Sequence, residues 1–334
     1  MANIESPILT IAIPTYNRAN YLNRCLFYIT SQINLHDCLF ELVVSDNNSS
    51  DETSEVVKKY IDLGYDIKYI KNSQNLGPDI NIDNCYNIAT GKYVLALGDD
   101  DILVSNSLYK LIDILKHDDY GLVYLNSKPI IKNDIFNFER KIFNTKEYQD
   151  QNDFINEIGY NLTFISANII NTKFYNKNLT SLYYGTNMAQ IPFILEAILF
   201  SNKNLIINDE ILRAQVDNTG GYKIFKVFGT NLNLILNDLS KIHPKIKFRK
   251  IIIDKLLTLF FPFWIIKLKK VHNFKNEEDP NLILKPLFYK NLKYWIYCYP
   301  LNFMPYQIAI SYNFITLIPF RVKKYFYKLL MSVK

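Results

Sequence analysis

The sequence predicts an α/β protein: a mostly parallel central sheet flanked by helices, followed by a basic, aromatic, mainly helical extension. Three observations carry that expectation. Through about the first 105 residues, short apolar runs alternate with helical stretches and polar loops. This is the pattern of a parallel sheet covered on both faces. The polar clusters Thr15-Tyr16-Asn17-Arg18, Asp46-Asn47-Asn48 and Asp99-Asp100-Asp101 each follow an apolar run, where a strand would end. Ligands of such sheets bind outside the carboxyl ends of the strands. Finally, residues 241–334 hold 18 Lys or Arg against 4 Asp or Glu, a local net of +14 within a chain of net charge +6. Residues 1–240 are therefore at −8. An acidic front and a basic back indicate two jobs, and we divide the chain into residues 1–222 and 223–334.

The elements follow in order. Residues 9–13 are a strand running into Pro14, and a helix over 20–33 follows, capped by Asn17 or Asn20. Residues 40–45 are a second strand, and the polar loop after it leads to a helix over 52–63. A short strand over 67–70, a turn at Asn75-Leu76-Gly77-Pro78 and a helix over 79–89 stopped by Gly91 come next. Residues 93–97 read as a buried strand closed by Gly98 and then by Asp99, Asp100 and Asp101, with a helix expected over 102–116. Strands over 121–125, 164–170 and 205–207 and helices over 153–160 and 189–200 are expected beyond. Residues 128–150 are read as a strand or loop, and the stretch around Asp217 as a flexible loop.

The three aspartates are costly at the end of a buried strand, because like charges repel and each loses hydration. Two readings stand on these residues alone. One is a hard divalent cation, Mg²⁺ or Mn²⁺, bridging carboxylates to substrate phosphates. The other is an acidic turn at the positive end of the next helix.

Several classes are disfavoured. No GxGxxG and no GxxxxGK[ST] occurs, so neither a dinucleotide fold nor a P-loop is indicated. Cys25, Cys38, Cys85 and Cys298 form no CxxC pair, which argues against zinc and disulfides and for a reducing cytoplasm. The first ten residues lack the basic and apolar regions of a signal peptide. His36, His117, His243 and His272 have no visible partners, which disfavours a histidine-centred hydrolase.

Taken together, Ile13-Pro14-Thr15-Tyr16-Asn17-Arg18, Val43 through Asp51, Asn75-Leu76-Gly77, Ala89-Thr90-Gly91-Lys92-Tyr93 and Leu97-Gly98-Asp99-Asp100-Asp101 resemble the family 2 glycosyltransferases. The Leu-Gly-Asp-Asp-Asp form is similar to an abequosyltransferase-like branch acting on bacterial surface polysaccharides. The resemblance implies the GT-A fold, an inverting hexosyl or deoxyhexosyl transfer, a nucleotide-sugar donor (UDP-, CDP- or other) and a glycan or lipid-linked acceptor. By position, it places Pro14, Thr15, Tyr16 and Arg18 beside the base and ribose, with Asn75 and Gly77 also at the donor. Asp46 would accept a hydrogen bond from the base; Asp99 and Asp100 would meet the donor, and Asp99 and Asp101 the metal. Asn81-Ile82-Asp83 stands where the family often has Ala-Arg-Asn.

An inverting transfer needs a base to take the acceptor proton. The family commonly supplies an Asp near the segment matching residues 184–188, where this chain has no acid. Glu196, Asp209, Glu210 and Asp217 are the candidates, each with an ordinary helix or turn role as its alternative.

The basic third interleaves cations with Trp264, Trp295 and many Tyr and Phe. Its longest uncharged runs are too short, or too interrupted by proline, to span a bilayer. An interfacial anchor on anionic membrane and a packed helical extension are both open; no nucleic-acid module is visible. The expected location is the cytoplasm, peripheral at the inner face of the membrane. A nucleotidyltransferase-like enzyme would instead release pyrophosphate, and a degenerate binding domain would turn over no donor.

Overall fold

We describe the computed structural model over residues 6–131, 137–176, 179–215, 221, 223–270 and 278–318. The apolar runs become strands because their side chains are buried on both faces of a sheet. Leu9–Thr15 (β1) pairs in parallel with Phe40–Asp46 (β2), and β2 with Ile67–Lys71 (β3). On its other side β1 pairs in parallel with Tyr93–Ala96 (β4), all four of whose residues are buried. The register sets Thr15 opposite Asp46 and Ala12 opposite Ala96. That arrangement carries Thr15, Asp46 and the aspartates after β4 to one edge. Between these strands run Ala19–Thr30 (α1), Thr53–Asp62 (α2) and Pro78–Ile88 (α3). Helix α1 shows why: Leu22, Cys25, Leu26 and Ile29 recur at helical spacing and are all buried. Each large apolar side chain so buried contributes about 1.5–3 kcal/mol.

The second half of the sheet is mixed. Ile102–Leu103 (β5) precedes Leu108–His117 (α4), and Leu122–Pro129 (β6) and Thr145–Tyr148 (β7) follow. Gln151–Ile158 (α5) leads through two tight turns to Asn168–Asn171 (β8), then Ile191–Phe200 (α6) and Asn204–Ala214 (β9). Among the described residues the strand order is β3-β2-β1-β4-β8-β6-β9-β5, with β7 paired to β9. Strand β8 is antiparallel to both β4 and β6.

Three expectations shift in detail. The helix expected over 102–116 begins only at Leu108, because Ile102 and Leu103 are fully buried and pair with Arg213 and Leu212. Gln32 Oε1 then accepts the N–H groups of Ser107 and Leu108 where α4 starts. The strand expected over 164–170 is confined to β8, since Asn168 Nδ2 donates to the carbonyls of Leu162 and Phe164 and fixes the turns before it. The strand expected over 205–207 runs on to Ala214, held by β6 and β7 and bent by register shifts around Asn126. Asp209 and Glu210 therefore lie within a strand rather than after one.

The described chain divides into two compact units, residues 1–220 with 241–246, and residues 221–240 with 247–334. The second is helical: Leu232–Ile242 (α7, whose last residues belong to the first unit), Phe248–Lys255 (α8), Phe261–Lys270 (α9), Pro280–Phe288 (α10), Tyr299–Phe303 (α11) and Tyr306–Thr316 (α12). Its core is aromatic, with Phe225 stacked on Phe261 at 5.8 Å between centroids and Phe248 and Tyr294 fully buried. Asp254 joins it internally, pairing with Lys250 and Lys293 at 2.7 Å each. No helix of the described residues is long and apolar enough to cross a membrane.

Candidate active site

The three aspartates fold back over Gly98 at the end of β4. A Cβ on Gly98 would lie 3.0 Å from Asp101 Oδ2, 3.2 Å from Asp100 Oδ1 and 3.2 Å from Ser166 Oγ, so glycine is what lets the carboxylates close over the backbone. The three aspartates are held by several donors, one of them shared. Asp99 accepts from Thr15 Oγ1 at 2.8 Å and from Arg18 at 3.1 Å. Asp100 meets the same guanidinium at 3.2 Å, while Arg24 donates to its backbone carbonyl at 2.8 Å. Asp101 accepts from Ser166 Oγ at 2.5 Å and from the backbone N–H of Gln215 at 3.1 Å. Ser166 also accepts the N–H of Gly98.

Burial dominates the electrostatics. Asp99 and Asp101 are each 3 % exposed. Desolvation raises the Asp99 carboxyl to about 6, against the lowering pull of Arg18 and Thr15. It raises Asp101 to about 7, with repulsion from Asp100 and Asp99 adding to it and Ser166 opposing. The positive charge of Arg18 does not offset this burial and repulsion, so the site favours a further cation. Its donors are hard oxygens, which suits Mg²⁺ or Mn²⁺. Among the described residues no group of three or more His, Cys, Asp or Glu side chains is arranged to hold a metal alone. Two aspartates fit a dication that takes its other ligands from diphosphate and water, as Mg²⁺ commonly does.

The neighbouring shelf is a polar network. Asp46 is wholly buried; Oδ1 accepts the N–H of Ser49 at 2.8 Å and Oδ2 the hydroxyl of Tyr69 at 2.6 Å. Burial and this bond push the Tyr69 hydroxyl up to about 12. Asn47 binds the loop that carries Asn75 and Gly77: its Nδ2 donates to Asn75 Oδ1, and its Oδ1 accepts the N–H of Leu76. Pro14 is half-buried in β1, and Tyr16 is 42 % exposed at the rim. Asn81, in the stretch that departs from the family pattern, is buried, accepts from Ser45 Oγ at 2.8 Å and donates to the carbonyls of Ser45 and Thr15.

Of the four acids read as candidate bases, three are placed and each has a partner away from the aspartates. Glu196, buried in α6, accepts the N–H of Asn176 at 2.7 Å, and desolvation raises its carboxyl. Asp209 accepts from Arg140 at 2.8 Å and from the N–H of Asn144 at 2.6 Å. Glu210 is exposed, 3.9 Å from Lys128. Asp217 lies outside the described residues.

Sequence reasoning did not single out Ser166, Gln215, Arg24, Tyr69 or Asp79. Asp79 and Asp83, both buried, share one face of α3 at i, i+4 spacing. Asp79 accepts the N–H groups of Gly185 at 2.8 Å, Asn187 at 2.9 Å and Ala189 at 3.2 Å. Asp83 accepts from Thr180 Oγ1 at 2.6 Å and from the hydroxyl of Tyr184. The two carboxylates clasp the segment where an acid was sought. Their spacing was visible in the sequence, but their partners, about 100 residues on, were not.

The glycosyl transferase family 2 model matches residues 10–178, a span that holds the aspartates, the shelf and β1 through β8. The chain belongs to glycosyl transferase family 2. Its fold is GT-A. It is 38 % identical over 104 residues to abequosyltransferase RfbV of Salmonella typhimurium, covering 30 % of each chain. Over 107 residues it is 37 % identical to the GalNAc(5)-diNAcBac-PP-undecaprenol beta-1,3-glucosyltransferase of Campylobacter jejuni, covering 32 % of this chain and 34 % of that one. The match thus spans about a third of the length of these relatives. Among solved structures, TarS 1-349 of S. aureus in complex with UDP-GlcNAc aligns at a TM-score of 0.58 and 17 % identity, over 92 % of this chain and 88 % of that one. The mannosyltransferase PcManGT of Pyrobaculum calidifontis, in complex with GDP-Man and Mn²⁺, aligns at 0.53 and 13 % identity, over 94 % and 86 %. At such identities the likeness speaks for fold alone.

Proposed function

We propose that this glycosyltransferase moves a hexosyl or deoxyhexosyl group from a nucleotide sugar (UDP-, CDP- or other) to a glycan or lipid-linked acceptor, with inversion and with Mg²⁺ or Mn²⁺. The reading extends to bacterial surface polysaccharide assembly at the inner face of the cytoplasmic membrane. The observation that carries it is the knot of Asp99, Asp100 and Asp101, in which Asp99 and Asp101 are buried and raised toward protonation, with Arg18 and Thr15 beside it. A bound dication supplies charge neutralisation on the departing diphosphate. Asp99 and Asp101 hold it, Asp99 and Asp100 face the donor, and Arg18 stands ready for phosphate or ribose. Pro14, Thr15, Tyr16, Asn75 and Gly77 form the shelf for the base and ribose. Asp46, whose oxygens already accept from Ser49 and Tyr69, holds that shelf in place. The acceptor proton goes to a carboxylate among Glu196, Asp209, Glu210 and Asp217. Support for donor and metal comes from the fold neighbours solved with UDP-GlcNAc and with GDP-Man and Mn²⁺. Support for a lipid-linked acceptor comes from the relative named for an undecaprenol-linked substrate.

The test is donor binding by thermal shift, with UDP-, CDP- and GDP-sugars, each with and without Mn²⁺. At least one should bind in a Mn²⁺-dependent way and, with acceptor, release nucleoside diphosphate. Asp101→Asn should abolish the Mn²⁺ dependence. Equal donor affinity with and without metal would sink the metal role, and release of pyrophosphate would sink the transfer.

A further inference from the structure

Helix α12 is out of place in water. Its eleven residues, Tyr306–Thr316, carry no charge, and Ala309 alone is buried. Ile308, Ile310, Phe314 and Ile315 are 44–62 % exposed, and Phe303 just before the helix is 64 % exposed. Leaving so many large apolar side chains in water forgoes burial that each could gain. Exposed apolar surface of this kind marks an interaction site.

The charge of this part of the sequence, with that of the neighbouring helix α9, names the partner. From Pro280 to Lys334 the sequence contains no Asp or Glu and eight Lys or Arg. Helix α9, which packs beside α12, ends in Lys267, Lys269 and Lys270. Lys267 sits 4.5 Å over the ring of Trp264, and Phe263 on the same helix is 56 % exposed. Lysines beside exposed aromatics, around an uncharged helix too short to span, match the layered chemistry of an anionic bilayer: acidic at its surface and apolar just beneath.

We propose that α12, flanked by Phe303 and the lysines of α9, lies in the plane of an anionic membrane with Ile308, Phe314 and Ile315 immersed. This deepens the reading above, which places the enzyme at the membrane, by assigning the contact to one helix face. The immersed side chains supply a salt-resistant part of the binding, and the lysines a salt-sensitive part.

The experiment is co-sedimentation of the full-length protein with vesicles of phosphatidylcholine alone or with about one-third phosphatidylglycerol. Ile308→Ser/Ile315→Ser is compared with a charge variant, Lys267→Gln/Lys270→Gln, and donor binding is measured in parallel on the same preparations. Binding should require phosphatidylglycerol, and the double Ser variant should lose about tenfold or more. The loss in the charge variant should be large at low salt and small at high salt. Donor binding should be unchanged in both, which keeps a failure of this assignment separate from a failure of the catalytic one. The proposal is overturned if wild type ignores anionic vesicles, or if the double Ser variant binds them as wild type does. It is equally overturned if that variant abolishes a lipid-free dimer, because the face then belongs to a second copy. A lowered melting temperature without lipid would assign the face to the chain's own residues 319–334 and overturn it too.

Discussion

Asp101→Asn should stabilise the metal-free enzyme at pH 8. The carboxyl titrates at about 7 in the folded chain against 3.8 for the free group. Below pH 4 both states hold the proton, and its contribution to stability is fully present. As pH rises from 4 to 7, the unfolded chain sheds its proton while the folded chain retains it, so stability falls. Above 7 the loss is complete, and at 1.36 kcal/mol per unit it reaches about 4 kcal/mol. Asparagine removes that loss at the same size. It keeps an acceptor for the N–H of Gln215 but turns Ser166 from donor to acceptor, and Ser166 already accepts from Gly98. That mismatch brings the net gain down to about 1–3 kcal/mol. For a unit of this size such a gain raises the melting temperature by roughly 2–10 °C. Differential scanning fluorimetry between pH 4 and 8, without metal, reads it directly. The gain should shrink steadily as pH is lowered, reach zero between about pH 4.5 and 6, and turn into a loss of about 1–3 kcal/mol near pH 4, where only the Ser166 mismatch is left. Saturating Mn²⁺ with nucleoside diphosphate should reverse the order, because ligand binding stabilises only the form that binds it. A variant that melts below wild type at pH 8 without metal, or curves that stay parallel in pH, would refute the argument.

Two further outcomes follow from single contacts. Tyr69→Phe strips one of the two donors from the buried carboxylate of Asp46 and should cost about 1–3 kcal/mol, seen as a lower midpoint in urea, with a raised KM for the donor. Asp79→Ala leaves the N–H groups of Gly185, Asn187 and Ala189 without their acceptor; limited proteolysis should cut between residues 183 and 189 several-fold faster, and uncut protein at the wild-type rate would show that the clasp is dispensable.

What was legible in the sequence was local. The alternation through β4 and the glycine before Asp99 are patterns within a few residues, and they placed one sheet edge and its acidic cluster. The second half of the sheet was harder to read for a physical reason. Strand β9 keeps Asn208, Asp209 and Glu210 within it across a register shift against Asn126 of β6, and an irregularity of that kind leaves no period in the sequence. Ile102 and Leu103 were read into a helix because two apolar residues carry no period at all. In the site, Thr15 and Arg18 were within reach of motif reasoning. Ser166 and Gln215 were not, since each is an ordinary polar residue until the fold brings it to Asp101 from 65 and 114 residues away.

Those distant donors bear on what the aspartate knot does for the molecule. It gathers the end of β1 through Thr15, the start of α1 through Arg18 and Arg24, the turn before β8 through Ser166, and the end of β9 through Gln215. Three stretches far apart in sequence, residues 15–24, Ser166 and Gln215, are thus fastened to a knot in which burial pushes Asp99 and Asp101 toward neutrality. The fastening is strongest when those carboxylates are ionised, since charged acceptors make the stronger hydrogen bonds. Ionisation is also the state that burial and mutual repulsion oppose. A dication relieves that opposition, so metal and donor should tighten the whole edge of the sheet rather than fill a rigid cleft. The free enzyme would then hold its site loosely by design of its charges, and cohesion at this edge would rise with the ligand that the chemistry needs.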